Sequence, residues 1–355
     1  MEASKLQRYL QVVLQTALDT AGETISSNGY KIIVKIDKAI GEGYIDWIPI
    51  LPTSYPIDKN LNDRLWSVLV GVLYPFYTLF PGGPNFVPTG SDDFCSARAL
   101  RFHFKIGIYS RMHISDMNTF YIYKGSLPLM DGYEYDFEHA SGHIAISGSS
   151  GSGKSIFAEF LLNQFWLMGA EIVMIDPKLD HNLWRFARTR NLEYHYPKVG
   201  SNPNAFGADV LDILSRAVTL IGERQATVLN SEEYQKFSPY IVFVDEAAAF
   251  STKQSRDLME KIVLMGRACK VWLIISAQSM DATSVISSTA RDSMGLRVVL
   301  SPNPSIEDCR YLFKGFNPAD VVIPRDEYRF GLGLIEQMSD GRIVPFLAPF
   351  IENLE

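Results

Sequence analysis

The octet GSSGSGKS, Gly148 to Ser155, places two glycines, a lysine and a serine at the spacing G-x-x-x-x-G-K-S. The small residues Gly148, Ser149, Ser150, Gly151, Ser152 and Gly153 let consecutive backbone N–H groups curl around phosphate oxygens. A helix starting within the octet adds the positive end of its dipole. Lys154 would then reach the β- and γ-phosphates, Ser155 would ligate Mg²⁺, and Ile156 completes the nucleotide-contacting stretch. A flexible Gly/Ser linker has a similar composition, but the strand before the octet and the helix after it fit a phosphate loop. Downstream, YIVFVDEAA ends an apolar run in Asp245 and Glu246. Asp245 suits a water-mediated contact to Mg²⁺, and Glu246 suits the base that polarises an attacking water. A further run, VWLIISAQ, ends in the polar Gln278, placed to sense a γ-phosphate.

Such groups need a rigid frame. Beyond about residue 125, short apolar runs alternate with helical stretches. HIAIS (143–147), EIVMID (171–176), YIVFVD (240–245) and VWLIISAQ (271–278) read as strands. Helices are expected from Ser155 to about Met168 and over about Ala208 to Val228. Near-continuous apolar strands separated by helices predict an α/β domain whose parallel sheet is covered on both faces. EIVMID lies between the loop and the acidic strand, and VWLIISAQ follows it. This order fits the RecA-like (ASCE) branch of P-loop ATPases, in which an extra strand separates the two motifs. No N-K-x-D guanine-reading motif occurs, so ATP is favoured over GTP.

The first 125 residues predict a smaller α+β unit. Leu6, Leu10, Val13, Leu14, Ala17 and Ala21 recur at helical spacing. YKIIVKI from Tyr30, FHFKIGIYS from Phe102 and TFYIYKG from Thr119 read as strands, with a loop from Pro81. His103 and His113 read as packing or surface residues. Leu65 to Phe80 carries no charge, but it is short for a bilayer span and holds Gly71 and Pro75, so a core helix followed by a turn is expected. The division is thus 1–125, a motor domain over 126–345 and a tail over 346–355. The net charge of −7 argues against an overall basic coat for nucleic acid, though not against a locally basic channel. Cys95, Cys269 and Cys309 have no metal-like spacing, and no cleavable signal is read before the first helix. A cytoplasmic setting is therefore expected.

Five segments, SGHIAISGSSGSGKS, EIVMIDPKLD, SPYIVFVDEAAAF, EKIVLMGRACKVWLIISAQS and ARDSMGLRVVLS, resemble the FtsK/SpoIIIE/HerA class of hexameric motor ATPases. The short, coupling-protein-like versions carried by conjugative elements are the most similar. The resemblance runs from Leu127 to Phe346, and IDPK and GRA…AQS are its more specific parts. It implies a homo-oligomeric ring, expected to be hexameric, that pumps DNA through a central pore with ATP and Mg²⁺ held between neighbours. Asp176 and Lys178 match the class's DPK segment and Gln278 its sensor position. Arg267 and Arg297 match basic positions from which one subunit would stabilise the γ-phosphate held by the next. Arg291 and Arg310 are further candidates, and Arg297 has the alternative of pairing within the fold.

Lys253 and Arg256, with Ser284, Ser287 and Ser288, lie on loops expected near the pore, where they would hold phosphates without reading bases. Ordinary solvated loops are the alternative. Arg185, Arg188 and Arg190 could form a subunit contact. The class's membrane-spanning N-terminus and sequence-reading winged helix are not read here, so recruitment by a relaxase or a membrane-complex protein is expected. AQSM stands where the class has TQRP or CQRP. Two other uses of the same core remain open: the ATPase of a protein-secretion machine, and a nucleotide-gated coupling protein with little turnover. The intact set of Lys154, Asp245 and Glu246 argues against a dead ATPase.

Overall fold

The computed structural model describes residues 3–20, 29–50, 57, 59–80, 84–200, 202, 204–231, 237–281, 285–318, 321–339 and 341–352. Met1–Ile108 with Ala319–Val322 form one compact unit, and Tyr109–Pro318 with Ile323–Glu355 form the other. The boundary therefore falls at Ile108/Tyr109 rather than near residue 125. Residues 109–125 belong to the second unit because its helices hold their backbone: Tyr121 N–H donates to Gln164 Oε1 at 2.8 Å, and Gln164 Nε2 donates to the Thr119 carbonyl at 3.0 Å.

In the first unit, α1 (Ala3–Thr20) buries Leu6, Leu10, Leu14 and Leu18, a fourth-residue stripe. The remaining elements are β1 (Tyr30–Asp37), β2 (Glu42–Pro49), α2 (Lys59–Leu73), β3 (Tyr77–Leu79), β4 (Asn85–Pro88) and β5 (Arg98–Ile106). The strands form an antiparallel sheet in the order β1-β2-β5-β3, with β4 also on β5. Trp47, Phe102 and Phe104 pack with the α1 leucines to make its core. The uncharged stretch from Leu65 resolves into the buried end of α2, a turn over 74–76 and β3. Among the described residues, no helix is long and apolar enough to cross a membrane. Part of the loop expected from Pro81 is strand β4, because β5 offers it a ladder. Ala21 lies outside the described residues.

The second unit contains β6 (His113–Ile114), β7 (Ser126–Met130), β8 (Tyr133–Asp136), β9 (Ile144–Gly148), α3 (Lys154–Leu167), β10 (Glu171–Ile175), α4 (His181–Thr189), β11 (Glu193–His195) and α5 (Ala205–Ser231). It continues with β12 (Tyr240–Val244), α6 (Lys253–Met265), β13 (Val271–Ala277), α7 (Ser288–Asp292), β14 (Leu296–Leu300), α8 (Ile306–Cys309), β15 (Leu332–Gln337), β16 (Ile343–Leu347) and β17 (Phe350–Ile351). Eight strands make one sheet in the order β11-β10-β12-β13-β9-β14-β15-β16. Strands β11 to β14 along this order are parallel, and β15 and β16 are antiparallel.

Strands β9, β12 and β13 are buried along their whole length, as a doubly covered sheet requires. Phe157, Phe160 and Phe165 of α3 and Leu183 and Phe186 of α4 pack on one face, over Ile146, Met174, Phe243 and Ile274. On the other face α5 and α6 contact β12 and β13. Two expectations fail here. Thr119–Gly125 is not a strand, because the Gln164 side chain takes up the backbone groups that a ladder would use. The expected tail from residue 346 is ordered pairing instead: Phe346 lies in β16, and β17 runs parallel to β6.

His143, just before β9, is fully buried and accepts the Leu273 N–H on Nδ1 at 3.0 Å. Burial, helped by the positive charge of Arg267, lowers its pKa from 6.5 to about 3. Between these values the unfolded chain binds a proton that the folded chain refuses. The contribution to stability is therefore full above about pH 6.5 and falls with pH by up to about 1.4 kcal/mol per unit. Denaturant midpoints should drop between pH 7 and pH 5 in the wild type and drop less in His143→Gln, which keeps an acceptor but does not titrate.

Candidate active site

The phosphate loop joins β9 to α3. Gly148 passes so close to β14 that a Cβ there would meet the Leu300 carbonyl at 2.4 Å. Gly153, the residue before α3, adopts φ 101°, a left-handed conformation that favours glycine. Lys154 is 9% exposed and donates from Nζ to the carbonyls of Gly148 and Ser149 at 2.7 and 3.0 Å. Burial lowers its pKa, and the carboxylates of Glu246 and Asp245 partly offset the shift. The Ser152 hydroxyl is buried in the loop with no protein partner among the described residues, a donor suited to an anion.

β13 lies between β9 and β12, so the ends of all three strands meet beside the loop. Ser147 Oγ donates to the Gln278 carbonyl at 3.2 Å, tying the β13 end to β9. Asp245 and Glu246 follow β12 and are 6% and 8% exposed. Burial raises the Asp245 carboxyl to about 6, and the charges of Asp176 and Glu246 push the same way. Glu246 takes a left-handed conformation (φ 43°), uncommon for a side-chain-bearing residue. Its carboxylate is held on two sides, by Lys178 Nζ at 3.0 Å and by the Gln278 N–H at 3.3 Å.

A cleft of about 350 Å³ is lined by Lys154, Ser155, Ile156, Lys178, Asp180, Asp245, Glu246, Gln278 and Phe330, with Ser150, Gly151, Gly153 and Asn182. Sequence reasoning missed three of these, Asp180, Asn182 and Phe330. Asp180 caps α4, accepting from Asn182 N–H and Leu183 N–H at 2.9 and 3.1 Å, while its other oxygen accepts the Ser155 hydroxyl at 3.3 Å. An aspartate directly before a helical pattern was the available signal. Phe330 comes from just before β15 and carries no local signature. Asp176 shapes the connecting turn, accepting from the backbone N–H groups of Lys178 and Asp180 at 2.8 and 2.6 Å. The donors near Ser155 are a hydroxyl and carboxylates, the hard oxygen set that suits Mg²⁺.

Other expected residues lie elsewhere. Arg267 precedes the start of β13, at the opposite end of the parallel strands from the loop, and its guanidinium donates to the His139 carbonyl. Arg297 pairs with Glu336 at 3.1 Å across the β14–β15 ladder, where the two face each other in register. This is the alternative read for Arg297 from the sequence, pairing within the fold. Arg291 is buried and donates to the Met280 carbonyl, and Arg310 pairs with Glu307 at 2.7 Å. Arg190 donates to Asn163 at 2.8 Å and stacks over Trp166, a contact within its own unit. Lys253 and Ser288 are exposed. Arg256 is half-buried, with a 3.4 Å contact to Ser251 Oγ. Ser287 caps α7, accepting from Ala290 N–H at 3.3 Å, and Ser284 lies outside the described residues.

This arrangement has known counterparts. Residues 136–214 match the family described as the central domain of the helicase HerA. The FtsK domain-containing protein YdcQ of Bacillus subtilis is 27% identical over 192 residues, covering 50% of this chain and 37% of that protein. The chain is thus similar to FtsK/HerA-class P-loop ATPases. It spans 37% of the length of that curated relative. Among solved structures, the pCW3 conjugation coupling protein TcpA, a monomer form with ATPγS, aligns over 96% of this chain and 95% of its own. The TM-score is 0.53 at 16% identity. The cytoplasmic domain of the Type VII secretion ATPase EccC from Thermomonospora curvata covers 68% of this chain and 32% of its own, with TM-score 0.50 and 16% identity. At these identities the structural likeness is one of fold.

Proposed function

We propose that this FtsK/HerA-like ATPase hydrolyses ATP at the cleft beside the phosphate loop and uses the cycle to pump DNA through a ring of its own subunits, in conjugative transfer or DNA packaging. The convergence of Lys154, Asp245, Glu246 and the end of β13 on one cleft carries this reading. Lys154 and the loop N–H groups hold the β- and γ-phosphates, and Ser155 and Asp245, with Asp180 behind them, hold Mg²⁺. Bound there, Mg²⁺ would neutralise charge on the phosphate oxygens. Glu246, oriented by Lys178 and the Gln278 backbone, takes the proton from the attacking water. Gln278 senses the γ-phosphate.

In a closed ring, proposed as a hexamer, Arg267 is the arginine offered to a neighbour, since its guanidinium lies far from its own loop and is exposed. Lys253, Arg256 and Ser288 supply phosphate contacts in the pore. A relaxase or a membrane-complex protein recruits the ring at the cytoplasmic face. HerA's description as a helicase and TcpA's as a conjugation coupling protein support DNA as the cargo. The EccC likeness makes a secreted polypeptide the second reading.

Displacement of streptavidin from biotinylated DNA ends separates them. A DNA pump should strip the block from single- or double-stranded DNA only with hydrolysable ATP, and less well as salt rises. If no block is displaced and a substrate peptide alone raises turnover, the polypeptide reading replaces it.

A further inference from the structure

Most of the cleft lining is charged, polar or glycine. Two large apolar side chains among the described residues break that pattern, Ile156 and Phe330. Neither takes part in the charged network of Lys154, Lys178, Asp245 and Glu246. Phe330 is half-buried, and its segment is seated directly on the phosphate loop. The next residue, Gly331, donates its N–H to the Ser152 carbonyl at 2.8 Å and accepts from Ala348 N–H at 2.7 Å. A Cβ on Gly153 would stand 3.0 Å from the Gly331 nitrogen and 3.8 Å from the Phe330 Cβ, so the two strands of chain are in contact.

The segment is also held from behind. The Arg111 side chain is 2% exposed. Its Nη2 donates to the Phe330 carbonyl at 2.9 Å, its Nε to Asp326 Oδ2 at 2.6 Å and its Nη1 to the Ala348 carbonyl at 2.5 Å. A buried guanidinium is costly unless its donors are all well placed. Here they converge on the residues that carry Phe330 and on the β16–β17 connection behind it. The Phe330 ring packs on one side near Tyr328, with ring centroids 6.0 Å apart, and its place in the cleft lining suits a ligand that carries an apolar, flat part as well as phosphates.

We infer that Phe330, with Ile156, is the surface against which the purine base of the bound nucleotide packs, and that Arg111 positions it. The inference rests on the nucleotide reading above. Stacking on an aromatic ring uses the face of the base, so a purine, with the larger face, gains more than a pyrimidine.

Calorimetric titration of the full chain with Mg·ATP, Mg·CTP and inorganic tripolyphosphate tests it. Phe330→Ala should weaken ATP about tenfold, narrow the preference for ATP over CTP and leave tripolyphosphate unchanged, with Phe330→Tyr restoring ATP. Arg111→Lys, as a positioning change, should shift the ratio of ATP to tripolyphosphate affinity in the same direction. Equal losses of ATP and tripolyphosphate in Phe330→Ala would overturn the inference, because the segment would then merely support the loop. Unchanged ATP binding would overturn it as well, leaving the nucleotide site intact. Failure of the wild type to bind either ligand would remove the nucleotide reading and this inference with it.

Discussion

Lys154→Ala is expected to weaken ATP binding by roughly 100-fold or more, the usual consequence of removing one partner from a desolvated charge pair. Lys154 is a buried cation poised between the loop carbonyls and two carboxylates. Its hydrogen bonds go to its own loop, and the strands and helices around it do not depend on them. The variant should stay folded, with a melting midpoint close to the wild type, so the loss is one of binding and not of structure. Titration with Mg·ATP at matched fold content decides it. Near-normal affinity would mean that the loop holds something other than a triphosphate.

The second large effect belongs to Glu246. Glu246→Gln keeps the shape of the side chain and an acceptor for the Gln278 N–H, but removes the proton acceptor and the ion pair with Lys178. ATP should still bind, and hydrolysis should fall by about 10² to 10⁴, the range of a positioned general base. Single-turnover hydrolysis separates this from a binding defect. Turnover at the wild-type rate would remove Glu246 as the base and direct attention to the two remaining carboxylates of the cleft, Asp180 and Asp245.

Much of this site is legible in the sequence. The loop and the acidic strand end are short motifs whose chemistry depends on local spacing, and apolar runs of strand length flank them. What was not legible depends on residues that meet only in the folded chain. That β13 lies between β9 and β12 follows from sheet order, which chain order does not state. Arg297 looked available until β15 brought Glu336 opposite it. TFYIYKG has the β-branched and aromatic content of a strand, yet the Gln164 amide, 43 residues from Tyr121, satisfies its backbone instead. Arg111 and Phe330 are 219 residues apart, and no spacing rule connects them. Asp180 is an intermediate case: its capping position was readable, its contact with Ser155 was not.

The most direct measurement is steady-state phosphate release from Mg·ATP at high protein concentration, with and without single- and double-stranded DNA of increasing length, using Glu246→Gln as the blank. A Glu246-dependent basal rate that rises with DNA length and falls back as salt is added is the predicted result. A Glu246-dependent rate indifferent to both forms of DNA would contradict the DNA-pump reading, and a rate equal to the blank would contradict the assignment of the hydrolytic site itself.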